Sequence, residues 1–184
     1  MKIGIIADTH GNLAGWDSAM EVALSGSDLI VHCGDVLYHG PKFAPAEGYD
    51  PMALAGRINA SETPVLIARG NGDSDVDQLV LDVPLQSPYV FAQVEGLRIL
   101  VAHGHIQPPE ELVPLAQRWG IDLLLTGHSH VPSVARHGEL VHVNPGTVTY
   151  PLAPDEALRR RTCAVWEDGE VAHFDLQDGR RLAL

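Results

Sequence analysis

The first twelve residues read MKIGIIADTHGN, residues 1–12, and join a short apolar run to an acid and a histidine. The uninterrupted run over residues 2–7 predicts a buried strand. It is too short for a secretion signal, and it leads into Asp8 and His10 without a small-residue cleavage site. We therefore expect this stretch to be the first core strand of a cytoplasmic protein.

Two similar strands are predicted over residues 29–33 and 64–68, with helices over 12–24 and 52–59 between the three strands. This alternation of strand and helix is typical of parallel strand pairing. The remaining predicted elements are a hairpin over 89–94 and 97–102, a helix over 109–119, and strands over 121–125, 140–143, 162–166 and 170–176. The mixture predicts an α/β fold of two packed sheets with helices outside, in a single domain over residues 1–184.

The composition limits the classes of function. The chain has 184 residues and a net charge of −12, and this acidity argues against long nucleic acids, which require a basic surface. No apolar run reaches the roughly 18 residues of a membrane span, so no membrane partner is expected. Cys33 and Cys163 are expected to be small buried residues and not a disulfide.

Polar clusters follow the predicted core strands. They are Asp8-Thr9-His10, Gly34-Asp35, Gly70-Asn71-Gly72-Asp73, His103-Gly104-His105 and Gly127-His128-Ser129-His130. Because ligands of open α/β sheets bind beyond the carboxyl ends of strands, we expect the clusters to meet in space. Asp8 and His10 are two residues apart, as are His128 and His130, so each pair can point to one position.

Each cluster alone also has an ordinary structural explanation. Gly-Asp after a strand is common turn chemistry, and residues 70–73 are equally typical of a tight turn before a helix. Paired histidines, such as His128 and His130, are less usual in loops. Five such clusters in order, each at a strand end, favour a shared site.

The side chains of these clusters that can bind metal are two carboxylates, one amide and four imidazoles. They are Asp8, His10, Asp35, Asn71, His103, His128 and His130. A set of oxygen and nitrogen ligands without thiolate suits Mn²⁺, Fe²⁺, Zn²⁺, Ni²⁺ or Co²⁺. The set is too large for one tetrahedral zinc, and it divides over two divalent ions if one carboxylate bridges them.

The ordered motifs resemble those of the calcineurin-like metallophosphoesterase superfamily. Over essentially its whole length, the chain is also similar to the small bacterial and archaeal YfcE-type phosphodiesterases. The narrower similarity includes residues 36–41 (VLYHGP), 47–49 (EGY), 74–78 (SDVDQ) and 144–147 (NPGT).

The resemblance implies a four-layer αββα sandwich of two mixed sheets, with two metal ions at its edge. One implied ligand set is Asp8, His10, Asp35 and His130. The other is Asp35, Asn71, His103 and His128, with Asp35 as the bridge. Mn²⁺ is the first choice of metal, and a hydroxide bridging the ions is expected to attack the phosphorus of a phosphodiester.

Four residues are assigned further catalytic roles. We expect the Asn71 amide to donate to a phosphoryl oxygen, and Asp73 to orient a ligand histidine. Many members of the superfamily have a histidine after the asparagine, placed to protonate the leaving oxygen, but Gly72 stands here and has no side chain to do so. His105 and His39 are the candidate acids, or the acid is missing and acidic leaving groups are favoured.

His39 also bears on the charge of the substrate. Ser/Thr phosphoprotein phosphatases of the superfamily have at this point an arginine that grips a dianionic phosphate, and histidine is a weaker, pH-dependent cation. A small phosphodiester is therefore the expected substrate, of a kind that the sequence leaves open, with a phosphomonoester as the alternative.

A third interpretation is that the chain is a non-catalytic scaffold, like the retromer subunit of this superfamily. The intact set of metal ligands argues against this interpretation. The edge strands would allow a homo-dimer or a higher homo-oligomer.

Overall fold

The computed structural model describes residues 1–184, which form two mixed sheets with helices outside. The strands are β1 Lys2–Ile6, β2 Leu29–His32, β3 Val65–Ala68, β4 Leu85–Gln86, β5 Val90–Val94, β6 Leu97–Val101, β7 Leu123–Leu125, β8 Pro132–His137, β9 Leu140–Pro145, β10 Thr162–Glu167, β11 Glu170–Asp175 and β12 Arg181–Leu182. The helices are α1 Leu13–Ala19, followed by a π-helical turn Met20–Leu24, α2 Pro51–Asn59 and α3 Pro109–Arg118, with short 3₁₀ helices at Asp77–Leu79 and Glu156–Leu158. None of the helices has the length and apolar character needed to cross a membrane.

The strand order is β12-β11-β10-β1-β2-β3-β4 in the first sheet and β5-β6-β7-β9-β8 in the second. Strands β1 to β4 pair in parallel, which confirms the predicted β-α-β-α-β unit, and β10 pairs antiparallel on the other side of β1. In the second sheet β6, β7 and β9 are parallel, and β5 and β8 are antiparallel edge strands.

Alternation along the strands divides the apolar side chains among three cores. In β1, Ile6 packs in the core that contains Trp16 of α1, whereas its neighbour Ile5 packs in the core between the two sheets. In β6, Leu100 packs in the core that contains Leu112 of α3. Successive strand residues point to opposite faces, so an apolar run covers both. Three cores between four layers confirm the predicted αββα sandwich.

The sequence predictions omit three strands, β4, β8 and β12. Strands β4 and β12 have two residues each and are too short for a periodic pattern. Strand β8 lies at the edge of its sheet, where residues such as Ala135 and Arg136 are exposed, so it has no continuous apolar run.

Candidate metal centre

The seven residues predicted to bind metal all follow the carboxyl ends of strands. Asp8 and His10 follow β1, Asp35 follows β2, Asn71 follows β3, His103 follows β6, and His128 and His130 follow β7. Strands β1, β2 and β3 belong to the first sheet, and β6 and β7 to the second. The cluster therefore lies at one edge of the molecule, where the two sheets meet.

Five of the seven residues have a left-handed backbone conformation, which L residues rarely adopt. They are Asp8 (φ 53°), His10 (φ 47°), Asp35 (φ 58°), His128 (φ 67°) and His130 (φ 57°). Each such residue costs about 1–3 kcal/mol and persists only where its surroundings hold it. Here the amide of Asp8 donates to Gly34 O at 3.0 Å, and that of His10 to Asp35 O at 2.9 Å. Strain concentrated on this one cluster indicates a functional constraint.

The first part of the cluster, the buried half, consists of Asp8, His10 and His130 with Oδ2 of Asp35. The Nδ1 atoms of its histidines donate to backbone carbonyls, from His10 to Tyr38 O at 2.7 Å and from His130 to Tyr150 O at 2.6 Å. Both Nε2 atoms therefore point their lone pairs inward, and they lie 3.2 Å apart. Nε2 of His130 is also 3.2 Å from Asp8 Oδ1.

The buried half has the donor set of a cation site. Asp8 Oδ1 is buried and has no hydrogen-bond partner, although burial of an unpaired carboxylate oxygen is costly. Two inward-facing imidazole nitrogens next to this oxygen add only further acceptors. A divalent cation satisfies all three atoms at once, so the residues fit a metal ion. Oδ2 of Asp35, at 3.8 Å from His10 Nε2, supplies a fourth donor.

Protonation equilibria in the cluster respond to the same surplus of acceptors. Burial pushes the pKa of His130 down, but the Asp8 carboxylate beside its Nε2 outweighs this effect and raises it. Burial likewise opposes a charged His103, whose pKa the hydrogen bond to Asp35 nevertheless raises to about 9. The pKa of Asp35 is lowered, because the hydrogen bond and charge of His103 outweigh burial. The carboxylates thus favour positive charge at His130 and His103, whereas burial keeps the pKa values of His10 and His128 below their usual range.

The second part of the cluster, the open half, consists of Asn71, His103 and His128 with Oδ1 of Asp35. Nδ1 of His103 donates to Cys33 O at 2.7 Å, and its Nε2 lies 3.5 Å from Asp35 Oδ1 and 3.2 Å from Asn71 Oδ1. The His128 ring centroid is 5.1 Å from that of His103. Asn71 and His128 are exposed. The two oxygens of Asp35 thus face different halves, as a bridging ligand requires.

Asp73 has different partners from those predicted. Its carboxylate accepts from the backbone amides of Asp35 at 2.9 Å, Val36 at 2.7 Å and Gly70 at 2.7 Å, and not from a histidine. Burial raises the pKa of Asp73 to about 6, against the effect of these hydrogen bonds. Asp73 therefore fixes the backbone of Asp35. Backbone carbonyls orient the three buried histidines instead. Contacts with backbone carbonyls leave no pattern of side chains in the sequence, so they could not be predicted.

The structure separates the two candidate acids. His39 lines the cavity in front of the cluster, and its Nδ1 donates to Gly40 O at 2.7 Å, which leaves Nε2 for other partners. His105 is exposed and lies outside this cavity, with its ring centroid 5.2 Å from that of His103. Burial and the charges of His103 and His128 lower the pKa of His105, so less of this imidazole carries the proton that a general acid must donate.

Two buried supports lie behind the ligand loops; the resemblance implied the second, at residues 144–147, but the role of the first, His32, was not predicted. The amide of Gly34 donates to Nδ1 of His32 at 3.1 Å, so Nε2 of this ring carries the proton and donates to Thr9 Oγ1 at 2.9 Å. Thr9 in turn donates to Val36 O at 2.7 Å. His32 thereby ties the loop of Asp8 and His10 to that of Asp35. Its position inside an apolar strand gives a sequence signal, since a buried histidine requires partners.

The second support is the NPGT stretch at residues 144–147. The amide of Asn144 donates to Gly127 O at 2.7 Å and to Ser129 Oγ at 3.1 Å. The Thr147 hydroxyl donates to Asp8 O at 2.9 Å. One stretch thus holds the loops of both sheets, which fixes the relative position of their ligands.

A cavity of about 680 Å³ opens in front of the cluster. Its inner end is formed by predicted ligands, including His10, Asn71 and His128. Lys42 is the only lysine or arginine in its wall. The sequence predictions assigned no role to Lys42 or to Phe43, because both occur in a Pro/Gly-rich loop without periodicity.

The fold and the cluster of acids and histidines at its edge define a metal-dependent phosphoesterase. A family model, the calcineurin-like phosphoesterase superfamily domain, matches residues 1–167, so the chain belongs to this family. Membership implies divalent metal ions, in agreement with the Asp and His groups of the centre. The resemblance found in the sequence is confirmed at this level.

Similarity to individual proteins is more specific than the match to the family model. Phosphodiesterase YfcE of Escherichia coli strain K12 is 41% identical over 158 residues, which cover 85% of this chain and 84% of YfcE. A solved structure of YfcE, described as a phosphoesterase from E. coli, superposes with a TM-score of 0.84 at 32% identity and covers 100% of this chain and 97% of that one. Vacuolar protein sorting 29 from Cryptosporidium parvum has a TM-score of 0.67 at 20% identity, covering 98% and 94% of the two chains, which shows a shared fold alone.

Proposed function

We propose that this chain hydrolyses small phosphodiesters at a dinuclear metal centre. In this proposal the buried half would hold one ion and the open half the other, and Asp35 would contribute one oxygen to each. The observation that carries it is the unpartnered, buried Oδ1 of Asp8 beside two inward-facing imidazole nitrogens, which a cation would satisfy. The similarity to phosphodiesterase YfcE supports the choice of reaction.

Two divalent ions, when bound, supply a lowered pKa for a water molecule and Lewis acidity towards phosphoryl oxygens. The protein holds the donors for them. Asp73 keeps the backbone of Asp35 in place, and the carbonyls of Tyr38 and Tyr150 keep the imidazoles of the buried half in one tautomer. This preorganisation reduces the rearrangement needed during the reaction.

Two side chains of the open cavity would act on the substrate directly. Oδ1 of Asn71 faces His103, so the amide NH₂ group is free to donate to a phosphoryl oxygen. His39 lines the same cavity and would hold a proton at Nε2 for the leaving oxygen. We retain His105 as the second candidate for this proton, because its ring lies beside that of His103.

Manganese is the metal that we propose first. The donor set contains only oxygen and nitrogen, which suits Mn²⁺ and also Fe²⁺, Zn²⁺, Ni²⁺ or Co²⁺. Cys33 lies close to the site, but burial raises the pKa of its thiol and keeps it from acting as a thiolate ligand. Both cysteines are free and buried, which supports the cytoplasm as the proposed location.

The choice of diester over monoester rests on the charge of the cavity wall. Lys42 is its only permanent cation, and no arginine is available for bidentate contact with a dianionic phosphate. A diester carries one negative charge fewer than a monoester dianion. It therefore needs less compensation from the wall.

The test is hydrolysis of bis-p-nitrophenyl phosphate beside p-nitrophenyl phosphate, on chelator-stripped protein with and without Mn²⁺. We expect metal-dependent cleavage that favours the diester. A preference for the monoester would support the phosphomonoesterase alternative. If two metals bind and neither ester is cleaved, the chain is better explained as an interaction scaffold.

A further inference from the structure

We propose that the substrate is a diester with a planar ring in one ester group, and that this ring packs against Phe43. The inference rests on the proposed phosphodiesterase activity and names the class of substrate for the same site. It starts from an aromatic side chain that the metal chemistry does not require.

Phe43 is held in a defined position next to the buried half. Its ring stacks on that of Tyr150, with centroids 4.3 Å apart and an angle of 9° between the planes. The Tyr150 hydroxyl donates to Ala44 O at 2.7 Å, which anchors the loop around Phe43. The Tyr150 carbonyl accepts from His130, a residue of the metal centre. Phe43 is therefore fixed relative to the reacting end of the cavity.

The distance from Phe43 to the centre suits an ester group. Its ring centroid lies 6.1 Å from that of His130 and 6.3 Å from that of His10. A phosphate bound in front of these two imidazoles would extend its ester groups by a few ångströms. A ring attached to such a group would reach Phe43 directly.

The cavity is larger than a phosphate needs, and its otherwise mostly polar lining includes a few apolar side chains besides Phe43. Its volume of about 680 Å³ is in the range of sites for small organic ligands. Tyr38, Val76 and Leu152 also line it, with 43%, 68% and 50% of their surfaces exposed. Exposed apolar side chains that share one concave wall are typical of a ligand site.

The apolar side chains of the cavity favour some of the phosphodiesters between which the sequence does not decide. A nucleoside or another aromatic ester group gains stacking and apolar contact from Phe43. A glycerol ester group is polar and has no ring, so it gains neither. Stacking of a base on an aromatic side chain typically changes binding by about tenfold or more.

Three diesters with a common p-nitrophenolate leaving group test the inference. Their retained groups are methyl, p-nitrophenyl and thymidine 5′-yl, so differences in kcat/KM report the retained group. The variants are F43L and F43Y, with F91L as the matched control, because Phe91 is an exposed phenylalanine on edge strand β5. Metal content is measured on every variant.

We expect F43L to lower kcat/KM for the p-nitrophenyl and thymidine esters about tenfold more than for the methyl ester. F43Y should restore the preference, and F91L should not change it. Equal effects of F43L on all three esters, at unchanged metal content, would overturn the inference while the phosphodiesterase activity stands. Absence of metal-dependent cleavage of any ester by the wild-type chain would instead overturn the proposed function.

Discussion

The buried half and the open half contain similar side chains in different surroundings. In the buried half Asp8, His10 and His130 are shielded from solvent, and carbonyl groups fix both imidazoles. In the open half Asn71 and His128 are exposed, and no hydrogen bond of the structure fixes the His128 ring. Hydrogen bonds within the protein thus fix both imidazoles of the buried half, whereas none fixes the His128 ring of the open half.

The largest effect is expected where the halves join. Asp35→Asn removes the charge that both halves share, so activity on bis-p-nitrophenyl phosphate should fall below detection and at least one metal should be lost. The matched control is Asp168→Asn, because Asp168 also has a left-handed backbone (φ 51°) but is exposed in a hairpin turn. Metal analysis and turnover are measured on both. Full activity of Asp35→Asn with two metals retained would refute the bridge.

The two candidate acids, His39 and His105, lie in different surroundings. Because His39 lines the cavity and His105 does not, His39→Gln should slow diesters with alkyl leaving groups about 100-fold. Its effect on p-nitrophenyl esters should be much smaller, because p-nitrophenolate leaves without a proton.

His105→Gln serves as the matched histidine variant. We expect it to change both kinds of ester to the same small extent. A selective loss on alkyl esters in His105→Gln, and not in His39→Gln, would reassign the acid to His105.

Metal affinity separates the halves most directly. Titration of the metal-free chain with Mn²⁺ should show one tighter and one weaker ion, because carbonyl groups fix both imidazoles of the buried half but only one, His103, of the two in the open half. His130→Gln removes a ligand of the tighter ion and should weaken it by more than the ~10–100-fold that loss of an outer-shell partner costs, and His128→Gln should affect the weaker ion alone. Calorimetric titration of both variants measures this. A loss of the tighter ion in His128→Gln would reverse the ranking of the two halves.

The support behind the buried half predicts a smaller effect of pH on stability. Burial lowers the pKa of His32 in the folded chain to about 3. In the unfolded chain the same imidazole takes up a proton near pH 6.5. The contribution of neutral His32 is complete above pH 6.5 and is lost as the pH falls towards 3. Protonation of His32 in the unfolded chain should lower the free energy of unfolding by about 2 kcal/mol between pH 7 and pH 5.

Urea denaturation of the metal-free protein measures this contribution. His32→Gln should show a shallower loss of stability from pH 7 to pH 5 than the wild-type chain. The control is His137→Gln, at a partly exposed position at the end of β8. Equal slopes for His32→Gln and the wild-type chain would contradict a neutral His32.

The sequence predicted the parts of the fold and site that depend on side-chain type. Apolar runs such as residues 2–7 identify buried strands, and acids and histidines at strand ends identify the cluster. The contacts of Asp73 and the orientation of His130 could not be predicted, because their partners are backbone groups. The role of Phe43 depends on where a loop folds, which short-range patterns do not encode.

Strand β1 lies inside its sheet between β2 and β10, and 120 residues separate His10 from His130. During synthesis the first two ligands therefore leave the ribosome on the order of ten seconds before the last two, at typical rates of elongation. Each half includes a histidine of the loop after β7, so neither half is complete until that loop has been made and the two sheets have docked. The order of the ligands along the chain therefore sets the earliest point at which either ion can bind.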